Sequence, residues 1–253
     1  MSRIKQAFAE KAKVAYLTAG DGGINTSVEY FLALVKGGVN LLEVGIPYSD
    51  PVADGPVIQQ AMERALKAGI TVKDSLEVIR KIREQSAVAI IVFTYYNPIQ
   101  GDLVGFLSAA KSAGADGILI VDLPFEEAAN YRYLCRSLGL SPITVIAPST
   151  RPERMKELLA TANDGFVYYA CQKGTTGTRD GLPLDLASQL DQLRQATSLP
   201  IAVGFGVANA QMVQAILQLA DGCVVGSYLV RQIANQVTAE DLTKLTMELY
   251  HVA

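Results

Sequence analysis

Tryptophan is absent from this chain, and histidine occurs once, at His251 near the C-terminus. That single imidazole excludes a conventional Ser/His/Asp or Cys/His catalytic site, unless the terminal tail supplies the base, and it excludes a His-rich metal site. The three cysteines, Cys135, Cys171 and Cys223, are far apart and lack metal-type spacing, so they read as buried structural thiols. Half of the residues are hydrophobic, yet no apolar run reaches the roughly 18 to 20 residues that span a bilayer. There is no basic stripe either. A net charge of −3 with both signs scattered along the chain leaves no footprint for nucleic acid and no polybasic membrane patch. The opening MSRIKQAFAEKAK reads as a short amphipathic helix without the apolar core or cleavage pattern of a signal peptide, so a cytoplasmic protein is expected. Chemistry falls to carboxylates, lysines, tyrosines or the backbone.

The stretch LLEVGIPYSDPVADGP, residues 41–56, stands out. It starts as an apolar run carrying one acid, Glu43, and breaks into a loop with Asp50 and Asp54 between Pro47, Pro51 and Pro56. A carboxyl group near the end of an apolar strand is disfavoured in its charged form, so its pKa rises toward the range useful for acid/base work at neutral pH. Asp54 sits where the loop can fold back over the strand end. Two carboxyl groups in different surroundings form the leading chemical hypothesis. Asp50 and Asp122 read instead as loop hydrogen-bonders, and Asp54 could equally cap the helix that Pro56 opens.

Along the chain, β-prone apolar runs alternate with helical patterns. Thr26 and Glu29 suggest a capping box for a helix ending at Gly37-Gly38. Pro56 suits a first helical residue, and a further helix over about 72–85 precedes the third strand at 87–95. Later strands follow at GILIVDLP, PITVIAP, GFVYYAC, PIAVGFG and GCVVGS, with a final helix over about 239–250. Three helix-to-strand joints repeat an Asp-Gly turn, at Asp116, Asp164 and Asp221. Eight strand-plus-helix units in 253 residues predict one domain, residues 1–253, folded as a (β/α)8 TIM barrel with an extra N-terminal helix. The strand C-termini then form the active face, with Glu43 and Gly45 pointing inward and the Asp-Gly turns at the opposite end.

On that face the glycines form a second constellation. Gly174-Thr175-Thr176-Gly177, Gly204-Phe205-Gly206 and Gly226-Ser227 lie where backbone N–H groups cradle a phosphate in such barrels. Lys173 could in principle form a Schiff base, but in a polar loop it reads as a solvated charge. Tyr95, Tyr96, Tyr168 and Tyr169 fit either a flat aromatic pocket or rim packing.

These residues resemble the tryptophan synthase alpha subunit family along essentially the whole chain: LTAGD at 17–21, EVGIPYSDPVADGPVIQ at 43–59, YYNP at 95–98, DLP at 122–124, GTTG at 174–177, GFG at 204–206 and GS at 226–227. The resemblance implies a carbon–carbon lyase of tryptophan biosynthesis that cleaves indole-3-glycerol phosphate to indole and glyceraldehyde 3-phosphate. It implies Glu43 as the acid/base and Asp54 as the partner of the indole N–H. It further implies Tyr16, Phe93, Tyr95, Tyr168 and Thr176 as substrate-binding, and Gly177, Phe205, Gly206, Gly226 and Ser227 as phosphate-binding. No metal or cofactor is implied in this chain. Pyridoxal phosphate would belong to a separate beta subunit, joined in an alpha2beta2 heterotetramer to which indole is passed. The sequence departs from the family pattern at Gln172-Lys173, where an arginine is usual, and around AYLTAGDGG, where prolines are usual.

Overall fold

The computed structural model describes residues 1–170, 182–204 and 206–250. Helix α1 (Arg3–Ala9) is followed by β1 (Ala12–Thr18), α2 (Ile24–Lys36), β2 (Leu41–Gly45), α3 (Pro56–Lys67), α4 (Val72–Arg83) and β3 (Ala89–Thr94). Next come α5 (Leu103–Ala113), β4 (Gly117–Ile120), α6 (Ala129–Ser137), β5 (Ser141–Pro142), β6 (Thr144–Ile146) and α7 (Pro152–Ala160). The chain continues through β7 (Val167–Ala170), α8 (Leu186–Ala196), β8 (Ile201–Gly204), α9 (Ala210–Leu219), β9 (Gly222–Val225), α10 (Ser227–Ala234) and α11 (Ala239–Tyr250). Among the described residues no helix is long and apolar enough to cross a membrane.

All the ladders are parallel, and β1 pairs with both β2 and β9. The resulting order, β5-β4-β3-β2-β1-β9-β8-β7-β6, winds once around, because β5 and β6 are two halves of a single strand broken at Ile143. The expected (β/α)8 barrel is therefore present, with its fifth strand divided. Every residue of β2 and β3 is buried, as expected of strands covered by helices outside and side chains within.

The Asp-Gly turns hold the end opposite the site. The carboxylates of Asp116 and Asp221 accept the N–H of Ile90 and Ile201, each at 2.9 Å, and so cap the start of a neighbouring strand. Asp116 also takes the guanidinium of Arg83 at 2.9 Å.

One helix start and one whole helix differ from expectation. α2 begins at Ile24 behind Gly23, without a side-chain cap, so Thr26 lies inside the helix and no Thr26–Glu29 capping box forms. Gly23, at φ 94°, makes the turn into the helix one step earlier than threonine could. A true capping box opens α4 instead, between Thr71 and Asp74. The short helix α10, directly after β9, was not foreseen as a separate element.

Candidate active site

Glu43 occupies the middle of β2 with no solvent exposure, and neither carboxyl oxygen has a hydrogen-bond partner among the described residues. Burial alone drives its pKa from the ordinary 4.5 to about 8, so at neutral pH the group is mainly the neutral acid. A buried carboxyl with unsatisfied oxygens costs stability. Such a cost is tolerated where the group meets a ligand.

Asp54 comes from the loop between β2 and α3 and is 2% exposed. Gly55 rather than Asp54 is the N-cap of α3, which frees the aspartate side chain. Burial raises its pKa to about 6 against the opposing hydrogen bond from Tyr95, whose hydroxyl donates to Asp54 Oδ2 at 2.7 Å. The same hydroxyl accepts the N–H of Ala53 at 3.1 Å, so Tyr95 ties the loop down at two points. The two acids thus separate: near pH 7 Glu43 holds its proton and Asp54 is mostly ionised.

Both face a cavity of about 240 Å³ at the strand C-termini. Tyr16, aligned with Glu43 across the β1–β2 ladder, covers one side and meets Phe93 edge-on with ring centroids 5.1 Å apart. Its ring lies over Gly45, where a Cβ would come within 2.2 Å of the tyrosine hydroxyl. Glycine is required there because the phenol occupies the side-chain space. Gly204 plays the same part beneath the Tyr168 hydroxyl, at 2.3 Å. Phe93, Leu119, Val121 and Val145 supply an apolar wall.

Across from that wall, Gly204, Gly206, Gly226 and Ser227 line the cavity. Gly226 is the N-cap of α10 and offers no side chain to the first turn. The leading N–H groups of that helix, from Ser227 onward, have no intrahelical acceptor and carry the positive end of its dipole, which makes a seat for an anion.

The structure gathers Glu43, Asp54, Tyr16, Phe93, Tyr168, Gly206, Gly226 and Ser227 around one space. Tyr95 is the exception: fully buried, it stands behind Asp54 instead of lining the cavity. Thr176, Gly177 and Phe205 lie outside the described residues, as do Cys171, Gln172, Lys173 and His251. Asp122 accepts the backbone N–H of Tyr96 at 2.7 Å, the loop role its setting suggests. Sequence reasoning missed a bidentate ion pair that anchors this face: Arg64 on α3 donates to both oxygens of Asp21, at 2.8 and 2.6 Å, joining the loop after β1 to the helix after Asp54. Residues 43 sequence positions apart give no local signal of that pairing.

Fold and site together define a (β/α)8 barrel protein that presents two carboxyl groups of opposite protonation state and the start of a helix to one cavity at its strand C-termini. A family model described as tryptophan synthase alpha chain matches residues 2–252. The tryptophan synthase alpha chain of Coxiella burnetii is 49% identical over 250 residues, covering 98% of this chain and 97% of that one. The Chlamydia caviae alpha chain is 42% identical and covers 98% of both. Among solved structures, the alpha subunit from Legionella pneumophila superposes with a TM-score of 0.88 at 34% identity, covering 98% of this chain and 97% of that one. A Mycobacterium tuberculosis tryptophan synthase structure gives a TM-score of 0.90 at 33% identity, covering 98% and 96%. The chain belongs to the tryptophan synthase alpha chain family. It is a carbon–carbon lyase of tryptophan biosynthesis, acting on indole-3-glycerol phosphate.

Proposed function

We propose that Glu43 and Asp54 carry the retro-aldol cleavage in this chain, with the phosphate held at the N-terminus of α10. The carrying observation is Glu43 itself, a fully buried acid whose two oxygens have no partner among the described residues and which faces the cavity. As the neutral acid it donates its proton to C3 of the indole ring. Positive charge then develops on the ring nitrogen, and the Asp54 carboxylate accepts the N–H and stabilises it. The Glu43 carboxylate removes the proton from the glycerol hydroxyl next to the ring. That carbon becomes the aldehyde as the carbon–carbon bond breaks, and the bond's electron pair returns to the ring to give indole. Glu43 ends protonated, ready for another turnover.

In this reading Tyr16, Phe93 and Tyr168 enclose the substrate, Tyr95 holds Asp54, and Gly206, Gly226 and Ser227 bind phosphate together with Thr176, Gly177 and Phe205. The whole chain acts as one catalytic barrel in the cytoplasm and needs no cofactor of its own. It passes indole to a tryptophan synthase beta subunit that carries pyridoxal phosphate, in an alpha2beta2 assembly. Family membership and likeness to the Mycobacterium tuberculosis tryptophan synthase structure support that partnership.

Indole release by wild type, Glu43→Gln and Asp54→Asn, each with and without a beta subunit, tests the assignment. The expected result is cleavage by wild type that the partner accelerates, with turnover lost in both variants while ligand still binds. Wild type that binds ligand yet stays inactive with a cognate partner would overturn it and leave a regulatory, ligand-binding subunit.

A further inference from the structure

Behind the apolar wall of the catalytic cavity lies a second cavity of about 300 Å³. Val121 and Val145 line both spaces, whereas their neighbours Ile120 and Thr144 line only the second. The reason is the break in the fifth strand. The ladder between β4 and β5 ends at Ile118 and Pro142, with a last bond from Ile143 N–H to Ile118 O at 2.9 Å, while β6 pairs with β7 alone. Past that point, among the described residues, no ladder joins β4 to β6. Side chains alone close the barrel wall there.

The outer side is bounded differently. Tyr131 of α6 fixes its helix to the seam by donating to Ile118 O at 2.7 Å, and Phe125 roofs the rim beneath the guanidinium of Arg132, 4.3 Å from its centroid. The second cavity is thus a preformed space with a floor and a roof. It needs no movement of helices to exist.

Resting on the assignment above, the two halves of the substrate must lie in opposite directions. The phosphate goes to α10, and the aromatic ring goes to the facing wall that holds Val121 and Val145. We propose that these two valines determine ring-size specificity, and that the cavity behind them is a latent extension of the aromatic subsite that takes ring-substituted indoles. The valine methyl groups form the partition. A substituent on the benzo ring meets those methyl groups in the wild type, and shortening them joins the two cavities. Discrimination by one methylene in an apolar pocket runs to about 10- to 200-fold.

The test compares wild type, Val121→Ala, Val145→Ala and the double variant, with Val78→Ala as a buried valine in α4 away from the seam. Indole-3-glycerol phosphate and a panel of its bromo- and phenyl-substituted forms, covering every benzo-ring position, serve as substrates. The kcat/KM ratio of the best bulky substrate to the parent should rise at least about 10-fold in the seam variants, carried mainly by KM, and stay constant in Val78→Ala. A ratio unchanged in the seam variants, with both substrates declining together, overturns the proposal. Calorimetric affinities of free indole and phenyl-substituted indoles provide a readout independent of turnover. A gain in relative affinity for the bulky ring supports the partition, and no gain refutes it. Failure of wild type to cleave the parent substrate would instead strike the functional assignment, and the affinity ratio would still decide the partition.

Discussion

Tyr95→Phe removes one oxygen atom and isolates the interaction that separates the two acids. The hydroxyl donates to Asp54 Oδ2 at 2.7 Å and is the influence that holds this carboxyl down against burial. A hydrogen bond to a charged group contributes about 1.5 to 3 kcal/mol, and about 1.4 kcal/mol corresponds to one pKa unit, so Asp54 should rise by about one to two units. From a starting value of about 6, the ionised fraction at pH 7 would fall from about nine-tenths to between about a half and a tenth. Indole release measured across pH should show the acid limb of kcat/KM displaced upward by that amount. The alkaline limb, set by Glu43 near 8, should stay in place, so the bell narrows from one side. The variant also leaves the Ala53 N–H, now bonded at 3.1 Å, without its acceptor. Any loop displacement this causes lowers the rate by the same factor at every pH, which separates it from the titration. An acid limb that superimposes on wild type, whether or not the rate also falls by a uniform factor, would refute the reasoning.

Glu43→Gln should stabilise the fold in a pH-dependent way. The folded-state pKa of about 8 lies above the ordinary 4.5, so the folded form favours the proton. That contribution is fully present below about pH 4.5 and is lost as pH rises toward 8; the excess stability of the variant grows over the same window toward an upper bound of about 5 kcal/mol. Urea unfolding at pH 5 and pH 8.5 checks the sign, and an equal difference at both would contradict it. Gly45→Ala places a Cβ 2.2 Å from the Tyr16 hydroxyl; stability should fall by about 1 to 3 kcal/mol. Thermal denaturation should show the loss, and adding Tyr16→Ala should recover part of it. Cys135 and Cys223 are fully buried, with thiol pKa values pushed to about 12. Neither should react with a thiol reagent in the native protein, and mass mapping of labelled peptides would reveal either one that does.

The alternation of short apolar strands with amphipathic helices made the barrel legible, because each parallel strand is buried on both faces and must be followed by a helix to return. Glu43 was legible for a related reason: an acid inside an apolar strand has no structural use that its neighbours in sequence could supply. What stayed hidden depends on distant partners. The break at Ile143 arises where β4 and β6 part, and nothing within PITVIAP announces it. Helix α10 stayed hidden because its eight residues follow the apolar strand directly, with Gly226 alone between them. Tyr95 was grouped with the pocket tyrosines since its type and strand-end position match theirs; only the folded loop shows that its hydroxyl serves Asp54. Thr26 has the residue types of a capping box, but Gly23 starts the helix first.

At neutral pH Glu43 holds a proton while Asp54 does not, and the proposed chemistry depends on that difference. Carbon-13 NMR of protein labelled at the glutamate side-chain carboxyl, with Glu43→Gln to assign the resonance, measures this directly. The expected result is a Glu43 signal titrating near pH 8, separate from the other glutamates. A Glu43 carboxyl that titrates near 4.5 with the rest would contradict it, because a group already ionised at neutral pH has no proton to give to the ring.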